Sequence, residues 1–181
     1  MYSEKELTDQ FVKSGSEEAF RALYRLKTPG LYRLALHLCR QDQYLAEEAV
    51  QEMWIIGVRK LKDFQWRSTL QTWLTSILIN VIRSQQRKHP KQQDDFEKSI
   101  QGKENVEIPA VFTAYDLREG ISRLPDGYQQ VIILHDIEGY THKEIGEMLN
   151  INEGTSKSQL FQARKAVRTY LSEKHIKPHQ S

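Results

Sequence analysis

Apolar residues recur at helical spacing along most of this chain. Between residues 20 and 38 they stand three, four or seven positions apart, and the same spacing returns beyond residues 45, 70, 117 and 145. No segment shows the alternation of apolar and polar residues that a half-buried strand requires. The pattern therefore predicts an all-α protein, built as two small helical domains.

Several helix starts carry capping signals. Ser16 precedes two acidic residues, which the helix dipole favours in a first turn. Ser68 with Gln71, and Thr141 with Glu144, have the spacing of capping boxes. The pair Pro29-Gly30 predicts a local irregularity inside the first long helix.

The apolar spacing disappears between residues 89 and 109, where charged and amide residues dominate and a proline stands near each end. Such a composition predicts a flexible linker. We therefore divide the chain into a first domain of residues 1–90, a linker of 91–112, a second domain of 113–174 and a frayed tail of 175–181.

The segment Tyr140–Leu171 predicts a helix, a tight turn and a second helix. The second helix has an apolar stripe at Leu160, Ala163, Val167 and Leu171. In a helix-turn-helix, the start of such a helix enters the DNA major groove, where polar side chains bond to base edges and phosphates. The candidates are Thr155, Lys157, Ser158, Gln159, Gln162 and Arg164. The alternative is an ordinary surface pair of helices with a solvated basic face.

Composition changes this picture only locally. The 26 basic and 24 acidic residues give a formal net charge of +2, so no global field indicates a nucleic-acid partner. Between Lys157 and Lys177, however, the cations face a single acid, Glu173, which makes a basic stripe suited to phosphates.

The lone cysteine, Cys39, excludes an internal disulfide and is typical of a reducing cytosol, and its apolar neighbours predict a buried thiol. No signal peptide is recognisable at the N-terminus. The longest mostly apolar segment is far shorter than the roughly 20 residues of a membrane span. We expect a cytoplasmic protein without membrane insertion.

A helix around residues 45–58 combines an apolar face with an acidic one. Leu45, Ala49, Trp54, Ile55 and Val58 are expected to point inward. The opposite face carries Glu47, Glu48, Gln51 and Glu52. These acids are either simply solvated or matched to a partner surface rich in arginine.

Aromatic and basic residues surround the next helix start, at residues 64–74. Aromatic rings beside cations can stack on unpaired bases while the cations hold the backbone. We expect Trp73 to lie in the core, whereas Trp66 fits either a half-buried packing role or base stacking.

Two of these segments carry a family resemblance. The string Gly154-Thr155-Ser156-Lys157-Ser158, followed by Leu160 and Ala163-Arg164, resembles the recognition helix of region 4 in sigma factors, the promoter-selecting subunits of bacterial RNA polymerase. The segment Ala46–Glu52 is similar to the most recognisable part of sigma region 2. The whole chain resembles a short, two-domain sigma factor of the extracytoplasmic-function (ECF) group.

The resemblance implies specific roles. The acidic face of residues 47–52 would dock on core RNA polymerase, and the second domain would read the minus-thirty-five promoter element. The first domain would recognise and melt the minus-ten element through Trp66, Ser68, Thr69, Asn80, Arg83, Arg87 and Lys88. Polymerase supplies the catalysis, so no enzyme site, cofactor or metal is expected. Such factors are commonly held inactive by an anti-sigma factor, which we expect here.

One departure from the family pattern concerns Gln159 and Gln162, where the family often has arginine. Glutamine can read adenine through two hydrogen bonds, so we hypothesise an altered promoter preference.

Two other functions remain open. A stand-alone helix-turn-helix regulator would leave the acidic face without a purpose. A helical nuclease would use Glu47, Glu48, Glu52 and a histidine as metal ligands, but the six histidines follow no ligand-spaced pattern.

Overall fold

The computed structural model describes residues 2–88 and 112–176, and in these ranges every regular element is a helix. The all-α prediction is confirmed. The chain divides into two units between His89 and Pro90. Residues 91–111 of the predicted linker and 177–181 of the predicted tail lie outside the described ranges. No helix in those ranges is both long and apolar enough to cross a membrane.

Within residues 2–88 of the first unit, the structure describes four α-helices. They are α1 (Glu4–Ser14), α2 (Glu17–Leu38), α3 (Gln43–Lys60) and α4 (Leu70–Lys88), with a 3-10 turn at Leu61–Asp63. Ser16 caps α2 as predicted, because its side chain accepts a hydrogen bond from the amide of Ala19.

The core of the first unit lies between α2, α3 and α4, whose apolar stripes face one another. The largest fully buried side chains there are Leu23, Leu31, Leu34, Leu38, Met53, Leu70, Leu74, Leu78, Ile79 and Ile82. Each such leucine or isoleucine stabilises the fold by about 1.5–3 kcal/mol relative to an exposed position. Cys39 is buried among them, as expected, and burial raises the pKa of its thiol to about 11.

Helix α1 packs on α2 through one aromatic and one ionic contact. The rings of Phe11 and Phe20 lie 5.4 Å apart, and the ammonium group of Lys27, a mostly buried side chain of α2, pairs with Glu4. A buried cation without a partner would be strongly unfavourable. The start of α1 is therefore part of the first unit's packing.

Two predictions about the backbone of α2 and the cap of α4 are wrong. Helix α2 runs through Pro29 without interruption, because apolar side chains on both sides of the proline are buried and hold the helix together. Helix α4 is capped by Thr69 rather than Ser68: Oγ1 of Thr69 accepts from the amide of Thr72 at 3.0 Å. The hydroxyl of Ser68 instead donates to the carbonyl of Thr69.

Within residues 112–176 of the second unit, the structure describes another four α-helices. They are α5 (Ala114–Ser122), α6 (Asp126–Ile132), α7 (His142–Leu149) and α8 (Glu153–Ile176), with a π-helical turn at Ile133–Ile137 after α6. Pro125 is the N-cap of α6 and separates it from α5. Ile121 in α5 and Leu124 just after it are buried, whereas Leu117 is exposed.

Helices α5, α6 and α7 all pack against the long helix α8. Gly120 permits the closest approach, because a Cβ at this position would lie 2.9 Å from Cδ1 of Tyr170. Val131, Ile132, Ile133 and Leu134, which belong to α6 and the turn after it, are buried, whereas Ile137 at the end of the turn is 46% exposed. Helix α8 is therefore the element on which the second unit is assembled.

An ionic cluster joins α5 to the end of α8. The ammonium group of Lys174 lies 2.7 Å from a carboxylate oxygen of Asp116 and 2.7 Å from one of Glu119. Its hydrogen bonds lower the pKa of Asp116, and they lower that of Glu119 to about 2. The two carboxylates in turn raise the pKa of Lys174.

We predict that Lys174→Met destabilises the second unit in a pH-dependent way. A carboxyl group whose folded pKa lies below its unfolded value stabilises the fold above the unfolded pKa, and this contribution is lost as the pH falls. The stability advantage of the wild type should therefore be present at neutral pH and shrink as the pH falls from about 4.5 towards 2. Chemical denaturation at several pH values measures this difference.

The matched control is Arg168→Met, which removes an exposed cation from the same helix. Its stability difference from the wild type should not follow this pH course. If the stability difference between Lys174→Met and the wild type stayed constant from pH 7 to pH 2, it would contradict a stabilising contact of Lys174 with Asp116 and Glu119.

Candidate functional site

The helix-turn-helix of the second unit is formed by α7, a short turn and α8. Thr141 and Glu144 form the predicted capping box, since the Thr141 hydroxyl accepts from the Glu144 amide and the Glu144 carboxylate accepts from the Thr141 amide. Asn150 ends α7 with a left-handed backbone (φ 55°), a conformation that asparagine tolerates well. The amide of Ile151 donates to the carbonyl of Gly146 at 3.0 Å.

Gly146 sets how closely the turn folds back on α7. A Cβ at this position would lie 2.8 Å from the carbonyl oxygen of Ile151, which is too close for any side chain. Because Ile151 leads directly into α8, this contact determines where the second helix begins.

The predicted apolar stripe of α8 is confirmed, as Leu160, Ala163, Val167 and Leu171 are all buried. The opposite side exposes Lys157 and Ser158, with Thr155 half-buried beside them. Nζ of Lys157 lies 2.7 Å from a carboxylate oxygen of Glu153 on the same helix. The start of α8 therefore presents a polar, accessible surface.

The two glutamines of α8 are placed differently. The side-chain oxygens of Gln159 and Gln162 are buried and accept no hydrogen bond, and Nε2 of Gln159 would lie 3.4 Å from a Cβ at Gly127. A buried acceptor without a donor costs about 1–3 kcal/mol. Base reading by these side chains stays a prediction, and it requires them to leave these positions.

Arg164 lies on the exposed side of α8 but is bound to another element. Its Nε donates to Oδ2 of Asp136 at 2.9 Å, and its Nη2 donates to Oδ1 at 2.7 Å. The guanidinium group is therefore held by two parallel hydrogen bonds, and this raises its pKa.

Phe161 belongs to the same surface and is not among the predicted contact residues. Its side chain is 63% exposed, and it lies three or four residues from Ser158, Lys157 and Arg164 on the helix. The sequence contains a signal for this exposure, because Phe161 stands next to the apolar stripe of α8 and not in it.

The predicted DNA-contacting loop of the first unit is aromatic. The ring of Phe64 lies 4.9 Å from the ring of Trp66 and 4.9 Å from that of Trp73. Trp66 has a left-handed backbone (φ 56°), which is rare for a bulky residue and typically found at functional sites. Trp73, which was expected in the core, is only half-buried, because it completes this cluster.

The polar candidates around α4 lie in two places. Ser68 and Thr69 are exposed just before the helix, where Thr69 also serves as the cap. Asn80, Arg83 and Arg87 follow one face of α4 at intervals of three and four residues, with Asn80 and Arg87 exposed and Arg83 half-buried. The side chain of Lys88 lies outside the described part of the structure.

The acidic face of α3 is exposed, with Glu47, Glu48, Gln51 and Glu52 all accessible. The prediction that Leu45 and Ile55 point inward is wrong: they are 37% and 54% exposed. Ala46, Ala49, Val50, Met53 and Trp54 fill the buried face of the helix and leave these two at its edges. Tyr44, also exposed, extends the same surface.

A helical nuclease would require a cluster of metal ligands. Within residues 2–88 and 112–176, no group of three or more histidine, cysteine, aspartate or glutamate side chains is arranged to hold a metal ion.

Comparison with known families identifies both units separately. Residues 23–92 match the family model for sigma-70 region 2, and residues 115–167 match the model for sigma-70 region 4. The first match includes α3 and α4 with the aromatic loop between them, and the second includes α7, the turn and α8 as far as Val167.

Similar proteins match over most of their length. The ECF RNA polymerase sigma factor SigM of Bacillus subtilis is 29% identical over 155 residues, which cover 81% of this chain and 91% of SigM. The ECF RNA polymerase sigma-E factor of Haemophilus influenzae is 27% identical, covering 90% of this chain and 95% of its own.

Two solved structures share the fold. The sigma factor RpoE of Bartonella quintana, in complex with the anti-sigma factor NepR, has a TM-score of 0.65 and 25% identity, covering 84% of this chain and 96% of its own. CnrH, in complex with the cytosolic domain of CnrY, has a TM-score of 0.66 and 20% identity, covering 92% and 96%.

We predict that Gly146→Ala destabilises the second unit by about 1–3 kcal/mol, because the added methyl group forces the turn away from α7. Thermal or chemical denaturation measures the loss. The control is Gly154→Ala in the first turn of α8, where a Cβ meets nothing within 4 Å and stability should be maintained. Equal effects of the two substitutions would contradict the role assigned to the close contact.

Proposed function

This chain belongs to the sigma-70 family as an ECF sigma factor, and we propose that it directs core RNA polymerase to promoters through three surfaces. Helix α3 binds the polymerase, α4 and its preceding loop recognise and melt the minus-ten element, and α8 reads the minus-thirty-five element as duplex DNA. The observation that carries the proposal is the presence, in one chain, of a helix-turn-helix and an exposed acidic and apolar helix face.

The exposed face of α3 has the composition of a protein-binding surface. Carboxylates at Glu47, Glu48 and Glu52 suit arginine and lysine side chains of a partner, which gives specificity and a fast encounter. Exposed Leu45 and Ile55 provide apolar area that a helix facing only water would not need. A partner that is both basic and apolar fits this combination.

The aromatic loop before α4 supports the proposed role in promoter opening. Flipping a base out of the duplex costs a few kcal/mol, which stacking on an aromatic ring partly offsets. Trp66 lies in a strained backbone conformation beside Phe64, and the exposed polar residues Ser68 and Thr69 follow immediately. Asn80, Arg83 and Arg87 on α4 continue the polar surface that would hold the strand.

The surface of α8 supports duplex recognition. Lys157, Ser158 and Phe161 are exposed together near the start of the second helix of the motif, which is the part that enters the major groove. Contacts of Lys157 with phosphates would orient the helix, whereas Ser158 and Phe161 would meet base edges.

We further propose control by an anti-sigma factor. The RpoE structure that resembles this chain is a complex with the anti-sigma factor NepR. An inhibitor that covered the exposed face of α3 would exclude polymerase by competition alone. Since the proposed partners are polymerase and chromosomal DNA, we place the protein in the cytoplasm, where it acts without catalysing a reaction itself.

The double variant Glu48→Arg, Gln51→Ala tests whether α3 binds the polymerase. The variant should lose core polymerase binding by at least about tenfold, because it places a cation against a basic partner surface. Pull-down with purified core polymerase measures binding, and transcription from promoters selected by the wild type measures initiation. Circular dichroism and thermal unfolding confirm that the variant is folded.

The control for charge is Glu18→Arg, an exposed acidic position on α2, which should bind polymerase like the wild type. If the wild type ignores polymerase but binds duplex DNA tightly by itself, the chain acts as a stand-alone helix-turn-helix regulator instead.

The variant Ile55→Ala tests the apolar part of the α3 surface. Ile55→Ala should weaken core binding about fivefold to thirtyfold, corresponding to about 1–2 kcal/mol of lost apolar burial in the complex. Val12→Ala on α1 is the matched control, because Val12 is also an exposed aliphatic residue. Titration of labelled variants with core polymerase measures both affinities, and equal values for Ile55→Ala and wild type would remove Ile55 from the interface.

A further inference from the structure

A series of polar contacts begins at one residue of α8 and ends at another. It starts at Ser156, a completely buried residue in the first turn of α8, whose Oγ is hydrogen-bonded to Nδ1 of His142 at 2.9 Å. The ring of His142 stacks on that of His135, with centroids 4.5 Å apart. His135 contacts Asp136, and Asp136 binds Arg164 of α8. These contacts join the π-helical turn, α7 and α8.

The series of contacts ends at Arg164, which has N–H donors available for a further partner. The side chain of Arg164 is 46% exposed, and Asp136 occupies two of the five N–H donors that a guanidinium group has. Three donors therefore remain for another partner. They are carried by a group whose plane and position are already determined by the two bonds to Asp136.

We infer that Asp136 is a positioning residue, which holds the Arg164 guanidinium where it binds a backbone phosphate of the duplex read by α8. This inference rests on the proposed minus-thirty-five function of α8 and adds to it. A phosphate contact at a fixed place sets the register of the recognition helix on the DNA, so that other side chains meet the correct bases. A free arginine would give the attraction without the register.

Asp136 is itself held in place. A carboxylate only accepts hydrogen bonds, so Nδ1 of His135, which lies 2.7 Å from Oδ1, carries a hydrogen and donates the hydrogen bond to Asp136. Burial alone would raise the pKa of Asp136, but the bonds from Arg164 and His135 outweigh burial and lower it. The carboxylate is therefore charged at neutral pH, and His135 and Arg164 both bind its Oδ1.

Removing the charge of Asp136 distinguishes a positioning role from simple attraction between Arg164 and DNA. The carboxylate offsets the positive charge of Arg164, so its removal should strengthen non-specific binding to DNA while weakening the choice between sequences. A residue with only a structural role would change stability, and it would lower specific and non-specific affinity together.

The ion pair Lys157–Glu153 provides a matched comparison on the same helix. Both side chains are more than half exposed, lie one helical turn apart, and are joined through one carboxylate oxygen. Glu153→Gln removes the same charge as Asp136→Asn but releases no guanidinium group from a two-bond arrangement.

The experiment uses holoenzyme reconstituted from the full chain and core RNA polymerase. A minus-thirty-five sequence is first selected from a random duplex library with the wild type. The affinity of each variant for the selected and for a scrambled sequence is then measured at several salt concentrations. We expect Asp136→Asn to lower the ratio of the two affinities by about tenfold, comparable to one mismatched base pair, while binding to the scrambled sequence stays equal or increases.

Glu153→Gln should increase binding to both sequences alike and leave their ratio unchanged. Arg164→Lys keeps the charge without the two-bond geometry, so it should lower the ratio as Asp136→Asn does. It tests the same inference if Asp136→Asn proves unstable. Thermal unfolding of each variant separates a loss of folding from a loss of discrimination.

A ratio within about twofold of the wild type for both Asp136→Asn and Arg164→Lys would overturn the inference. So would a parallel loss of both affinities in these variants. If the wild-type holoenzyme selects no minus-thirty-five sequence, the proposed function of α8 has failed. This result is distinct from an unchanged affinity ratio and from a parallel loss of both affinities in the variants.

Discussion

The close packing of α7 on the start of α8 is the constraint on which the proposed duplex-reading surface depends. Gly146 lets the carbonyl of Ile151 approach to a distance that no side chain would allow, and Ser156 is completely buried one turn later. With the helix start fixed at these two points, the burial of Leu160 and Ala163 fixes its rotation. Only then does it follow that Lys157, Ser158 and Phe161 face outward together.

The same principle operates in the first unit, where packing decides which residues of α3 are available to a partner. Ala46, Ala49 and Met53 are completely buried and bring α3 close to its neighbours. Their small or flexible side chains fill the interface fully and leave no place for Leu45 and Ile55. These two therefore remain at the edges of the acidic face, where they add apolar area to a surface that would otherwise offer only charge.

Local signals in the sequence predicted much of this arrangement. The capping box at Thr141, the apolar stripe of α8 and the break at Pro125 were all predictable, because each depends on residues within one or two turns. The same local reasoning placed the cap of α4 one residue too early, at Ser68. Ser68 and Thr69 are both good caps, and only the actual backbone decides between adjacent hydroxyls.

Helical spacing was less informative where a helix has partners on more than one side. The pattern of α3 could not separate Trp54, which is buried, from Ile55, which is exposed, because both are large and apolar. Which of them faces the core depends on the neighbouring helices. Contacts between residues far apart in the chain were not predictable at all, as with Arg164 and Asp136, which are separated by 28 positions.

Such distant contacts also change the meaning of the basic stripe. Three of its cations have carboxylate partners in the fold: Lys157 binds Glu153, Arg164 binds Asp136, and Lys174 binds Asp116 and Glu119. The sequence from residue 157 onward suggests an excess of positive charge, but acids from earlier in the chain offset part of it. A helix with so much of its charge already neutralised has a modest non-specific attraction to DNA. Selective binding then depends on side-chain geometry and on the polymerase that brings the helix to the promoter, which is the division of work expected of a sigma factor.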